Sequence, residues 1–142
     1  MIKKKIKKIL VPLDGSKNSI RGLDRAIYIA RQCQATITGL YVLPIYPRNI
    51  ADAFMPFQIQ FTKSAKKHMT TAKTMAAQKG VLFKSKIIFG SPMAEIADLA
   101  NKKKFDLVVI GSRGHGGVKE KFLGSVAQGV VHRSKVPVLV VK

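Results

Sequence analysis

Short apolar runs alternate with segments of helical periodicity along this chain, and that alternation restricts its fold more than any other feature. The predicted strands are residues 6–13, 36–43, 81–88, 107–110 and 137–141. Strands that alternate with helices are joined by right-handed crossovers, which give a parallel sheet covered by helices on both faces. The sequence therefore predicts a single-domain α/β fold built on an open five-stranded parallel sheet.

Four helices are predicted between the strands, because apolar residues recur there at the spacing of one helix face. Ser16 is suited to cap the first helix, and Ser91 with Pro92 gives the third a cap and a first-turn proline. The second helix is expected to follow a loop with three prolines and to end at Gly80. Those prolines are Pro44, Pro47 and Pro56. The residues expected to face inward are Ile20, Leu23, Ile27 and Ala30 in the first helix, Phe61, Ala65, Met69, Ala72 and Ala76 in the second, Met93, Ile96, Ala97 and Ala100 in the third, and Val126, Val130 and Val131 in the fourth.

Polar and glycine-rich segments follow two of the predicted strands. Residues 14–16 follow the first strand, and residues 111–125, with glycines at 111, 114, 116, 117 and 124, follow the fourth. In open parallel sheets, ligands bind beyond the carboxyl ends of the strands, where the strand order reverses. The two segments together indicate a ligand site at that edge.

The glycines of the second segment fit neither of two common phosphate motifs. A P-loop would need Lys and Ser or Thr where this chain has Gly117 and Val118, and a dinucleotide fingerprint would need a small residue in place of Lys119. The remaining pattern is Gly111, two residues, Gly114, nine residues, then Gly124 and Ser125.

This spacing can build a backbone cradle for phosphate. Gly111 and Gly114 would let the chain approach a ligand without a Cβ, so that peptide N–H groups point at phosphate oxygens. Gly124 and Ser125 would bring the N-terminus of the next helix to the same anion, while residues 115–123 arch over it. An ordinary flexible connection is the alternative, although five glycines in fifteen residues are costly in chain entropy.

The pattern resembles the ATP-binding branch of the universal stress protein family, whose signature is G-x2-G-x9-G-(S/T). The likeness extends to VPLDGS at residues 11–16, LYV at 40–42 and PVLVVK at 137–142. It implies a strand order of 3-2-1-4-5 and a Rossmann-like fold of the adenine nucleotide alpha hydrolase type. It assigns residues 6–142 to the family's domain and leaves residues 1–5 as a basic extension.

The resemblance also implies the roles of individual residues toward ATP, ADP or AMP, with or without Mg²⁺ held by the phosphates. Asp14 would accept hydrogen bonds from ribose hydroxyls in a turn shaped by Pro12, and the backbone of Val42 would recognise adenine. The first part of the phosphate site would be Ile110, Gly111, Arg113 and Gly114, and the second part Gly124, Ser125 and Val126. For Asp14, a helix-capping or turn role is the alternative.

Charge and composition restrict the partners and the compartment. The chain carries 26 Lys and Arg against 7 Asp and Glu, a net charge of +19, which attracts polyanions of any kind. Five lysines fall within the first eight residues and others are scattered over the helices, so a solvated surface is favoured over a specific nucleic-acid site. No apolar run approaches the ~20 residues of a membrane span, so no membrane insertion is expected. With no export signal recognised and a single cysteine, Cys33, the chain is expected in the cytoplasm.

Three classes of function remain open. The resemblance favours an ATP-binding regulator of the stress response. A slow ATPase is the second class, for which the glycine-rich loop offers the cations Arg113, Lys119 and Lys121 but only one carboxylate, Glu120. The third is a nucleic-acid-associated protein, suggested by charge alone. No catalytic residue is assigned.

Two further expectations concern metal binding and assembly. His68, His115 and His132 have no companion at metal-ligand spacing, so no metal site is predicted. In the order 3-2-1-4-5 the last strand lies at a sheet edge, and its apolar residues 138–141 favour a homodimer through that edge.

Overall fold

The computed structural model describes residues 5–114 and 122–142, which contain five strands and four helices in strict alternation. The strands are β1 (Lys8–Pro12), β2 (Thr36–Leu43), β3 (Phe83–Phe89), β4 (Leu107–Gly111) and β5 (Val138–Val141). The helices are α1 (Lys17–Cys33), α2 (Arg48–Gln78), α3 (Pro92–Lys102) and α4 (Ser125–Arg133). All the strands are parallel, in the order β3-β2-β1-β4-β5, so the predicted α/β class and strand order are confirmed.

The two faces of the sheet carry separate apolar clusters. Helices α1 and α2 cover one face, where Leu23 and Met69 pack against Ile9 and Ile37. Helices α3 and α4 cover the other face. Alternate strand residues point to opposite faces, which is why neighbouring residues of β1 belong to different clusters.

The helix starts follow the sequence signals in part. Ser16 caps α1 as predicted, because its Oγ accepts a hydrogen bond of 3.2 Å from the Ser19 N–H. Pro92 is the first residue of α3, also as predicted. Ser91 is the N-cap residue of α3, as predicted, although its side chain makes no capping hydrogen bond to the described residues. Its carbonyl accepts the first intrahelical hydrogen bond, from the Glu95 N–H.

Helix α2 begins earlier than predicted. Pro56, expected in the preceding loop, lies inside the helix. A proline there removes one hydrogen bond to the carbonyl four residues before it, but the helix is exposed at this point and water can satisfy that carbonyl. Phe61, expected to face inward, is 43% exposed, and Val131 of α4 is 42% exposed. The buried face of α2 begins only at Ala65.

Two further findings concern the environment of Cys33 and the search for membrane-spanning helices. Cys33 ends α1 and is half-buried beside the first apolar cluster. In the ranges that the structure describes, no helix has both the length and the apolar character that a bilayer span requires.

The two halves of α2 should respond differently to truncation of a large apolar side chain. Met69 is 2% exposed, so Met69→Ala should lower the free energy of unfolding by about 2–5 kcal/mol. Phe57 is 53% exposed, and Phe57→Ala should change it by less than about 0.5 kcal/mol. Urea denaturation of both variants measures this, and an equal loss in the two would contradict the packing described.

Candidate functional site

A pocket opens at the carboxyl edge of the sheet, between the ends of β1 and β4, where the strand order reverses. The strand ends bring five of the predicted residues to it. Pro12 and Asp14 come from the end of β1, Val42 from β2, and Ile110 and Gly111 from β4. The prediction that these distant segments meet is confirmed.

The segments that flank the undescribed part of the glycine-rich loop complete the pocket. Arg113 and Gly114 line it from the segment after β4, and Gly124 and Val126 line it from the start of α4. Ser125 begins α4 and is exposed, and it is not among the residues that line the pocket. The arch expected over a ligand falls largely on residues 115–121, outside the described ranges, together with His115, Lys119, Glu120 and Lys121.

Sequence reasoning missed six lining residues. They are Leu13, Ser19, Leu40, Pro92, Ile96 and Ala127. Leu40 could have been predicted to line the pocket, because strand residues two apart point to the same face and Val42 was already assigned to the site. Ile96 and Ala127 required knowledge of how α3 and α4 cross the sheet, which the chain does not give locally.

The pocket is apolar on one side and polar on the other. Its apolar side combines Leu40, Val42, Ile96 and Ile110, which belong to or pack against the cluster under α3 and α4. Its polar side holds the Asp14 carboxylate, the Arg113 side chain and the start of α4. This arrangement suits a ligand with a flat, weakly polar ring at one end and a hydroxyl- or phosphate-bearing group at the other.

The Asp14 carboxylate is fixed in position by the turn it belongs to. Its Oδ1 accepts a hydrogen bond of 2.8 Å from the Ser16 N–H, which is an Asx-type turn before α1. The carbonyl of Asp14 accepts a hydrogen bond of 3.1 Å from the Tyr41 hydroxyl. The structure therefore shows the turn role that was the alternative for Asp14, and this role leaves the carboxylate at the pocket wall.

Gly111 and Gly114 allow close contacts within the protein. A Cβ on Gly111 would lie 2.7 Å from the Asn18 carbonyl oxygen of α1, and one on Gly114 would lie 2.6 Å from Asp14 Oδ2. The approach of a ligand to these glycines stays a prediction.

Gly124 differs from both. Its φ of −63° is open to any residue, and a Cβ there would meet only ordinary contacts of 3.4 Å, with Arg113 Cα and the Ser112 carbonyl oxygen. The internal packing of the chain therefore does not require glycine at this position. Gly124 also lines the pocket, where a side chain would occupy ligand space.

The N-terminus of α4 reaches the pocket without a side-chain cap from the described residues. The Gly124 N–H is used internally, since it donates to the Ser112 carbonyl at 2.7 Å. The first intrahelical bond of α4 runs from the Gln128 N–H to the Gly124 carbonyl. The amides of residues 125–127 therefore have no acceptor within the helix, and the positive end of the helix dipole lies among them.

Tyr41 and His68 form a layer behind the Asp14 turn that the sequence did not reveal. Their rings stack with centroids 6.1 Å apart, and His68 Nε2 lies 2.7 Å from where a Cβ of Gly15 would be. Glycine is favoured at position 15 because its φ is +82° and because a Cβ there would overlap the His68 ring. Burial, and secondarily the Asp14 charge, raise the pKa of Tyr41, so its hydroxyl, which is protonated at neutral pH in any case, stays a donor under more alkaline conditions.

No group of three or more metal-ligating side chains occurs among residues 5–114 and 122–142. His68 stacks on Tyr41, and His132 lies in the last turn of α4.

The fold and the pocket define a doubly wound α/β protein with a ligand cleft at its topological switch point. The profile of the universal stress protein family matches residues 5–142. Universal stress protein MJ0531 of Methanocaldococcus jannaschii is 34% identical over 139 residues, which cover 96% of this chain and 82% of that protein. The chain belongs to the universal stress protein family.

Solved structures agree with this assignment. Universal stress protein UspA from Lactobacillus plantarum has a TM-score of 0.90 at 26% identity, with 98% of this chain and 99% of that chain covered. A universal stress protein in complex with cAMP has a TM-score of 0.78 at 26% identity, with 98% and 99% covered. The predicted family is confirmed, whereas the predicted ATP-binding role of the glycine signature stays a prediction.

The environments of Gly111 and Gly124 predict that an added methyl group affects the free energy of unfolding differently at the two positions. Gly111→Ala should lower the free energy of unfolding by about 1–3 kcal/mol, because the Cβ would overlap the Asn18 carbonyl. Gly124→Ala should leave it within about 0.5 kcal/mol of wild type or raise it slightly. Chemical denaturation of the two variants checks this, and a larger loss for Gly124→Ala would show that the contacts at one of these glycines are misassigned.

Proposed function

We propose that this protein binds an adenine nucleotide, ATP in the first instance, in the switch-point pocket and acts as a nucleotide-dependent regulator in the stress response. The observation that carries the proposal is the meeting, in one pocket, of an apolar slot, a fixed carboxylate and a helix N-terminus that no described side chain caps. Each of these suits a different part of a nucleotide.

The apolar slot suits the base. A purine ring between Val42, Ile96 and Ile110 would bury its faces against aliphatic side chains, while strand-end backbone groups are available to its polar edge. The nucleotide bound by a solved relative, cAMP, also carries adenine.

The Asp14 carboxylate suits the ribose hydroxyls, which are hydrogen-bond donors. Because Oδ1 is already held by the Ser16 N–H, the carboxylate would not need to reorganise when a ligand arrives. Its contact with Gly114 sets the distance between the ribose and phosphate parts of the pocket.

The start of α4 suits the phosphates. Amides of residues 125–127 point out of the helix end, and the helix dipole favours a negative charge at that position. Arg113 lines the same side and adds a guanidinium, the side chain best shaped for phosphate oxygens.

A binding role is favoured over hydrolysis. Phosphoryl transfer needs a group that orients or activates the attacking water and groups that stabilise the transferring phosphoryl. Among the described residues that line the pocket, Asp14 is the one carboxylate, and its Oδ1 is engaged in the turn before α1. Regulation by nucleotide would then act through residues that contact the ligand and alter the adjacent surface.

Substitution of Gly124 tests the phosphate part of the proposal. Gly124→Val should reduce ATP affinity at least about tenfold, because loss of even one hydrogen bond to a charged phosphate costs about 1.5–3 kcal/mol. The exposed Gln128→Val in the same helix is the matched control and should bind like wild type. Calorimetric titration gives the affinities and circular dichroism checks the fold. Unchanged affinity in folded Gly124→Val would remove the phosphate assignment.

We also propose a homodimer through β5. This strand pairs only with β4 in the described sheet, so its other edge presents backbone groups, and Leu139 is 37% exposed. An apolar sheet edge is a template for pairing, and two such edges related by a two-fold axis close on each other.

A charge placed on β5 tests the dimer. Wild type should sediment as a dimer at micromolar concentration and Leu139→Lys as a monomer, because two lysines would meet near the axis. Leu82→Lys, at a residue 65% exposed before β3, is the control and should remain dimeric. A monomeric wild type, or a dimeric Leu139→Lys, would exclude this interface.

A further inference from the structure

No described side chain in the first half of α2 is buried. Every described side chain of residues 49–64 is exposed or half-buried, whereas Ala65, Met69, Ala72 and Ala76 in the second half are buried. Gln58 and Phe61 lie beside Leu43 and Phe89, the last residues of β2 and β3. The turns before Gln58 therefore extend beyond the carboxyl edge of the sheet.

The later part of this projecting segment and the turn that follows it are apolar. Residues 53–61, AFMPFQIQF, contain no charged side chain, and we name them the α2 tip. Met55 is 46% exposed, Phe57 is 53% and Ile59 is 52%. Such concentrated exposure is unusual for a monomer surface and marks an interaction site.

The apolar side chains of the α2 tip point in several directions. Phe57 and Ile59 are two residues apart, which places them about 200° apart around the helix, on opposite sides. Phe54 packs between Tyr46 and Phe57, with ring centroids 4.6 Å and 6.2 Å away. A flat protein surface would cover one side of such a helix, whereas a fluid acyl layer surrounds it.

The charge of the chain that follows the α2 tip is of one sign. Between Asp52 and Glu95 the chain has no acidic residue, but it has seven lysines, all exposed. They are Lys63, Lys66, Lys67, Lys73, Lys79, Lys84 and Lys86. Together with a net charge of +19, this favours an anionic partner for the α2 tip.

We propose that the α2 tip inserts into the interfacial layer of an anionic lipid bilayer, with the adjacent lysines of α2, Lys63, Lys66 and Lys67, contacting the headgroups. Apolar insertion combined with cationic attraction is how peripheral helices bind such membranes. Nine helical residues extend only about 14 Å, so the tip would embed in one leaflet and not span. Nucleic acid would satisfy the lysines but would leave Met55 and Ile59 without an apolar environment. This proposal does not depend on nucleotide binding.

The chain has no tryptophan, so a single one reports its own surroundings. Phe57→Trp should show a blue-shifted emission, quenched by brominated acyl chains, with phosphatidylglycerol vesicles, and no change with phosphatidylcholine vesicles. Tyr28→Trp, at a residue of α1 that is 58% exposed, is the control and should not respond. Equal responses of the two reporters, or none from Phe57→Trp, would overturn the proposal.

A second measurement separates insertion from attraction by charge. Phe57→Ser/Ile59→Ser removes two exposed side chains without altering charge, and it should lower cosedimentation with phosphatidylglycerol vesicles at least about tenfold. If this variant still binds the vesicles in full, and duplex DNA displaces it from them, the binding is due to charge alone. That result would overturn the proposal. In the absence of lipid, the variant should have the same oligomer mass as wild type. A lower mass would show that a second copy of the chain covers the α2 tip, and it would also overturn the proposal.

Discussion

The close contact between Gly111 and the first turn of α1 determines how the rest of the site is arranged. The Asn18 carbonyl lies where a Cβ of Gly111 would be, and a Cβ on Gly22, one turn later, would lie 3.2 Å from the Gly111 nitrogen. Helix α1 is thereby held against the end of β4 while the turn before it continues from β1. Since β1 and β4 are the neighbours at which strand order reverses, this contact fixes the walls of the pocket at the switch point.

Other short contacts extend this arrangement to the ligand-facing groups. Gly114 allows the Asp14 carboxylate to lie against the segment after β4, and the Gly124 N–H joins the start of α4 to Ser112. Tyr41 supports the Asp14 turn from the neighbouring strand. The polar groups at these contacts are therefore held in place within the protein, which favours binding by groups already in position.

The fold was predictable because its signals are local, whereas the contacts of the site are not. Apolar runs and caps such as Ser16 lie within a few residues of the elements they define, and strand order followed from the family resemblance. The contact of Gly111 with Asn18 joins segments that are distant in sequence, so the glycine pattern could not reveal it. Pro56 was misread because its cost depends on whether water reaches the freed carbonyl, which is a property of the tertiary structure.

Nuclear magnetic resonance titration of the ¹⁵N-labelled protein with ATP tests the central claim most directly, because it reports on each backbone amide. The account predicts shifts concentrated at Gly111, Gly114 and the amides of residues 124–127, saturating at one nucleotide per chain. Shifts that spare these amides and spread over exposed lysines, such as Lys84 and Lys86, would show that ATP binds as a generic polyanion. That result would contradict a specific nucleotide site in the switch-point pocket.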